Sequence, residues 1–65
     1  MTAGNEHFVV TEQSILAEFP GWSIWQGIEG LWHARIKGAT PPVIVTGEDL
    51  TDLRDQIRGY EGREG

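Results

Sequence analysis

Apolar residues along the chain alternate between helical spacing and strand spacing, and each switch marks an element. Ile15, Leu16 and Phe19 fall on one helical stripe. Thr11 stands where an N-cap belongs, and Glu12 suits the positive end of a helix dipole. The spacing predicts a short helix over 11–19, ended by Pro20-Gly21. Phe8 continues the stripe backwards, which leaves room for an earlier start. Phe8-Val9-Val10 is also β-prone, and fits equally an extended segment or an arm reaching another subunit.

From Trp22 the period drops to two. Trp22-Ser23-Ile24-Trp25-Gln26 alternates, and so does Leu31-Trp32-His33-Ala34-Arg35-Ile36. A loop of Ile28-Glu29-Gly30 between them places Gly30 in the left-handed position of a G1 bulge. That loop sets the register. It pairs Gly27 with Leu31, Trp25 with His33, Ile24 with Ala34, Ser23 with Arg35 and Trp22 with Ile36. One face then collects Trp22, Ile24, Trp32, Ala34 and Ile36. The other collects Ser23, Trp25, Leu31, His33 and Arg35. A slip of one residue would mix the two sets, so turn chemistry and side-chain pattern agree.

Lys37 to Pro42 reads as a loop and Val43-Ile44-Val45 as a third strand. Thr46-Gly47-Glu48-Asp49 has capping-box spacing, with Thr46 as N-cap of a second helix running to about Arg58. Leu50, Leu53, Ile57 and Tyr60 form its apolar stripe, and Gly59 is suited to the position just past its end. The expected order is α-β-β-β-α. This is an α+β fold, two layers, with a three-stranded antiparallel sheet and both helices on its apolar face. Residues 8–60 form the single expected domain. Residues 1–7 are expected to be a disordered N-terminal tail, and 61–65 a loose C-terminal one.

Size and composition narrow the function classes. The chain has 65 residues, 38% of them hydrophobic, with three Trp and no Cys. A domain of this size buries only about 60% of the surface of its unfolded chain, and here no disulfide reinforces it. Ten acidic and five basic residues give a net charge of −5, which disfavours nucleic acid and anionic membranes as partners. No apolar run approaches the ~18 residues of a membrane span. The N-terminal residues carry no signal-peptide pattern. A cytoplasmic location is the expectation.

Catalytic constellations find little support. Zinc needs about four ligands at defined spacing, whereas the only His residues are His7 and His33 and there is no Cys. No metal or other cofactor is expected. Ser23 lies diagonal to His33 on one face, but no nucleophile elbow accompanies it. Glu48, Asp49 and Asp52 gather at a helix start, where dipole and solvation account for them. The glycines form no phosphate-binding motif. An enzyme is not expected. The element order is also that of double-stranded-RNA-binding domains. Those place a basic cluster at the start of the last helix, where this chain reads Gly47-Glu48-Asp49-Leu50-Thr51-Asp52, so RNA binding of that kind is excluded.

The residues Phe19-Pro20-Gly21-Trp22-Ser23-Ile24-Trp25, Leu31-Trp32-His33-Ala34-Arg35, Asp49-Leu50, Leu53-Arg54 and Ile57 resemble a group of short actinobacterial proteins sharing F-P-G-W-x-I-W and W-x-A-R motifs. The resemblance covers roughly residues 14–58 and implies no particular activity. A weaker likeness, through Gly47-Glu48-Asp49, is to the sheet-and-helix unit of HicB-type antitoxins. It implies an acidic, dimerising partner-binder. This chain differs in its N-terminal helix and in having no C-terminal DNA-binding segment after that unit.

What remains is the second face of the sheet. Trp25, His33 and Arg35, with Leu31 and Ile44 at the edges, are the candidate partner-binding residues. Trp and Arg are enriched in interface hot spots. Taken singly, Trp25 fits just as well a shielding role flat across the sheet against His33. For the face as a whole an interface is expected, because so small a core gains stability by association. The expected function is a non-catalytic interaction module: a homodimer, or a regulatory subunit bound to another protein. The alternatives are an antitoxin-like inhibitor of a basic protein and, further off, a small-ligand binder centred on His33.

Overall fold

The computed structural model describes residues 9–64. The elements are α1 (Glu12–Glu18), β1 (Trp22–Gln26), β2 (Trp32–Ile36), β3 (Ile44–Gly47) and α2 (Leu50–Glu64). This is the expected α+β order, with an antiparallel sheet in the order β1-β2-β3. The expectations for residues 1–7 and for Phe8 fall outside the described residues. Val9 and Val10 belong to neither helix nor strand.

Thr11 caps α1 in extended conformation, and its hydroxyl accepts from the Ser14 N–H at 3.0 Å while the Ser14 hydroxyl accepts from the Thr11 N–H at 3.0 Å. This reciprocal pair fixes the start of α1, so the helix does not reach back towards Phe8. Ile15 and Phe19 are buried, but Leu16, expected on the same stripe, faces outwards. Seven residues make two turns, and only one narrow face of them meets the core.

The hairpin has the expected register: Trp22 opposite Ile36, Ser23 opposite Arg35, Ile24 opposite Ala34, and Trp25 opposite His33. The Gly27 N–H donates to the Leu31 carbonyl at 2.8 Å, and the Gly30 N–H to the Gly27 carbonyl at 3.0 Å. Gly30 has φ of 92°, the left-handed conformation that the loop requires. The apolar face carries the core. Ile15, Phe19, Trp22, Ala34, Leu53 and Ile57 are buried together, and Ile24, Trp32, Ile36, Val45, Leu50 and Tyr60 pack around them.

Two expectations about α2 are corrected. Its N-cap is Asp49 and not Thr46. The Asp52 N–H donates to the Asp49 carboxylate at 2.8 Å, the Leu53 N–H to the Asp49 carbonyl at 2.9 Å, and the Glu48 N–H to the Asp52 carboxylate at 3.0 Å. Thr46 is instead held in β3, which pairs with β2 as far as Gly47 opposite Trp32. The helix then packs directly on Gly47: a Cβ there would stand 2.5 Å from the Leu53 nitrogen.

The second correction concerns the end of α2, which passes through Gly59 and runs to Glu64. Two contacts beyond Gly59 hold the extra turns. Tyr60 meets Trp22 edge-on, with ring centroids 5.8 Å apart, and the Trp22 indole N–H donates to the Glu61 carboxylate at 2.8 Å. A buried indole N–H needs an acceptor, and this one comes from a residue 39 positions further along the chain.

The two glycines should therefore respond in opposite directions to Ala. Gly47→Ala drives a methyl into helix backbone and should destabilise by about 1–3 kcal/mol. A Cβ at Gly59 would meet the Arg63 guanidinium at 3.9 Å, an ordinary contact, so Gly59→Ala should stabilise by about 0.5–1 kcal/mol. Urea unfolding monitored by far-UV circular dichroism measures both. Loss of stability in Gly59→Ala would mean that α2 stops at Gly59.

Candidate interaction surface

The strand pairing places the sequence-selected residues on one side of the sheet. Trp25 lies opposite His33, and Arg35 lies between Ser23 on β1 and Ile44 on β3. Trp25 is 41% exposed and Ile44 is 52% exposed. Arg35 is exposed as well, and Leu31 is half-buried at the hairpin end, opposite Gly27. Trp25, His33, Arg35 and Ile44 thus form one continuous strand-to-strand row, and Leu31 sits beyond its end. Both Trp25 roles considered from the sequence fit this geometry. Its ring stacks on the imidazole of His33, with centroids 5.3 Å apart and planes 24° apart, while much of its surface stays open.

His33 is the most constrained side chain of the face, with 18% of its side chain exposed. Nδ1 lies 3.2 Å from the Thr46 hydroxyl and Nε2 lies 3.2 Å from Glu29 Oε2. When the imidazole is neutral, Nε2–H donates to the carboxylate and Nδ1 accepts from Thr46. When it is charged, both nitrogens donate. Both nitrogens are thus engaged by groups other than Ser23. The arrangement orients the imidazole as a platform under Trp25.

Glu29 and Thr46 are members of this cluster that pattern reading did not select. Glu29 lies in the hairpin loop, four residues before His33, and the loop folds it back over the strand. Thr46 reaches His33 because β3 runs on past Val45 and puts the two residues in register. The pairing already derived for β1 and β2, extended to β3, would have revealed Thr46. Ile28, at the hairpin tip, is wholly exposed, an unusual position for a large apolar side chain.

The Glu29 carboxyl is held below the ordinary value of 4.5. The main cause is a hydrogen bond from its own backbone; desolvation, the next largest effect, opposes it, and the hydrogen bond and charge of His33 lower it further. No cluster of His, Asp or Glu among the described residues could hold a metal ion. No helix among them is long and apolar enough to cross a membrane. No family model, curated protein or solved structure matches the chain.

A depressed folded-state pKa means that Glu29 stabilises the hairpin above its unfolded pKa, and that this contribution disappears as pH falls through the lower, folded value. The expected outcome is a small loss of thermal stability on acidification below about pH 4.5 that Glu29→Gln lacks. Because the carboxylate is exposed, added salt should shrink the difference between the two proteins. Identical acid profiles would disprove the Glu29 contribution.

Proposed function

We propose that the protein is a non-catalytic, cytoplasmic interaction module, and that a second copy of the chain binds through the open face of the sheet. The observation that carries this is the joint exposure of Trp25 and Ile44 on one face, beside Arg35, while the opposite face is filled by both helices. An exposed aromatic on a rigid strand loses little conformational entropy on burial, and Arg and Trp are the side chains that most often dominate binding energy. A two-fold pairing of identical faces would cover both apolar groups at once. It would also add to a core that has six buried side chains among the described residues. The stacked, doubly hydrogen-bonded His33 supplies a preorganised floor under Trp25 and reduces the cost of association.

Sedimentation over a concentration series tests this. The expected result is a monomer–dimer equilibrium that Trp25→Ala weakens by about 2 kcal/mol, roughly thirtyfold in dissociation constant. The circular dichroism of the variant should be unchanged, because Trp25 lies outside the buried cluster. A strict monomer at every concentration would overturn self-pairing and leave the face to another protein, with this chain as its regulatory subunit. Unfolding of Trp25→Ala would place Trp25 in the core and remove the basis for an interface.

A further inference from the structure

On the helical side of the molecule, away from the open sheet face, α1 and α2 enclose a groove of about 170 Å³. Val9, Val10, Ser14 and Glu18 line one wall, and Arg54 and Arg58 line the other. The arginines are one helical turn apart on α2 and share a face. They are two of the five basic residues in a chain with ten acidic ones. Arg58 is neutralised, since its Nε and Nη2 donate to Glu18 Oε2 at 3.2 and 2.8 Å. Arg54 is not. Its Nε is sealed from solvent with no hydrogen-bond acceptor, and the ion pairs among the described residues are His33–Glu29 and Arg58–Glu18. A buried guanidinium N–H without an acceptor costs stability unless something supplies one.

We propose that this groove binds a carboxylate carrying a short branched alkyl group, with Arg54 as its anchor. The charge arithmetic selects a monoanion. Two guanidiniums and one carboxylate leave a single positive charge, and a dianionic phosphate would face Glu18. The planar guanidinium fork matches a carboxylate in two-point geometry. Val9 and Val10 offer an apolar wall for the alkyl part. The volume lies below the ~300 Å³ of ordinary ligand pockets, so the groove suits a small acid or one residue of a peptide. The inference is independent of self-pairing through the sheet.

Isobutyrate is the probe, titrated into the full-length, 15N-labelled protein while the Nε–H signals of Arg54 and Arg58 are followed by NMR. The expected result is a saturable shift at Arg54 and Arg58, with binding weaker by about tenfold or more for isobutyramide, for inorganic phosphate and, read at Arg58, in Arg54→Gln. A shift that stays linear with concentration would overturn the proposal. So would one that phosphate reproduces, or one that survives Arg54→Gln. If Arg54→Gln fails to fold, Arg54→Lys keeps the charge and removes the fork, and should lose binding to the same extent. A peptide ending in a free Val carboxylate, set against its C-terminal amide, distinguishes the two sources of such a group. Binding about tenfold tighter than isobutyrate assigns the groove to the terminus of a partner protein, and equal or weaker binding assigns it to a free acid.

Discussion

The Trp22 indole must be buried and its N–H must still find an acceptor, and the rest of the fold depends on that pair of demands. The side chain is almost fully buried, between α1, β2 and α2. A domain of this length holds roughly 3–10 kcal/mol of net stability, and truncating one buried Trp costs about 3–5 kcal/mol. Much of the fold therefore hangs on one side chain. Its polar atom cannot be left unpaired in so apolar a setting. The acceptor is Glu61, on a turn of α2 that local sequence disfavours. Tyr60 contributes the edge contact beside it. Together they carry the helix across Gly59 and tie the last element to the first strand.

This dependence explains which features were legible in the sequence. The hairpin was read correctly to the residue pair because its determinants are local. Gly30 sets the turn, the turn sets the register, and the alternation of Trp22, Ile24, Trp32 and Ala34 allows no slip. The α1 cap was legible for the same reason, since Thr11 and Ser14 are three residues apart. The end of α2 was not, because the contact that decides it spans 39 residues. Its start was ambiguous in a different way. Thr46-x-x-Asp49 and Asp49-x-x-Asp52 are overlapping capping frames, and only the length of β3 chooses between them. Because Gly47 pairs with Trp32 and lies under the helix backbone, the strand continues and the second frame wins.

The same shift of frame shapes the candidate surface. Released from capping, Thr46 becomes the Nδ1 partner of His33, and the hairpin loop contributes Glu29 to Nε2. Strand alternation alone assigned Trp25, His33, Arg35 and Ile44 to one face, which the register requires. It could not rank them. Ranking needs exposure, and exposure separates His33, which is wedged between neighbours, from Trp25 and Ile44, which are open. The result is an oriented imidazole stacked on a half-open indole.

Charge distribution separates the two sides of the molecule. The sheet side carries Arg35 beside apolar groups, and the ion pair His33–Glu29 lies at the hairpin. The helical side carries the ion pair Arg58–Glu18, which clamps α1 to α2 across 40 residues of sequence. Arg54 stands one turn away, with its Nε buried and unanswered in a protein with twice as many acids as bases. Where one guanidinium nitrogen is buried without an acceptor, the missing acceptor is the feature to explain. Val9 and Val10 line the same groove. A small domain with a thin stability margin gains most from ligands that satisfy groups it already holds desolvated, because most of the cost of burial is met before binding begins.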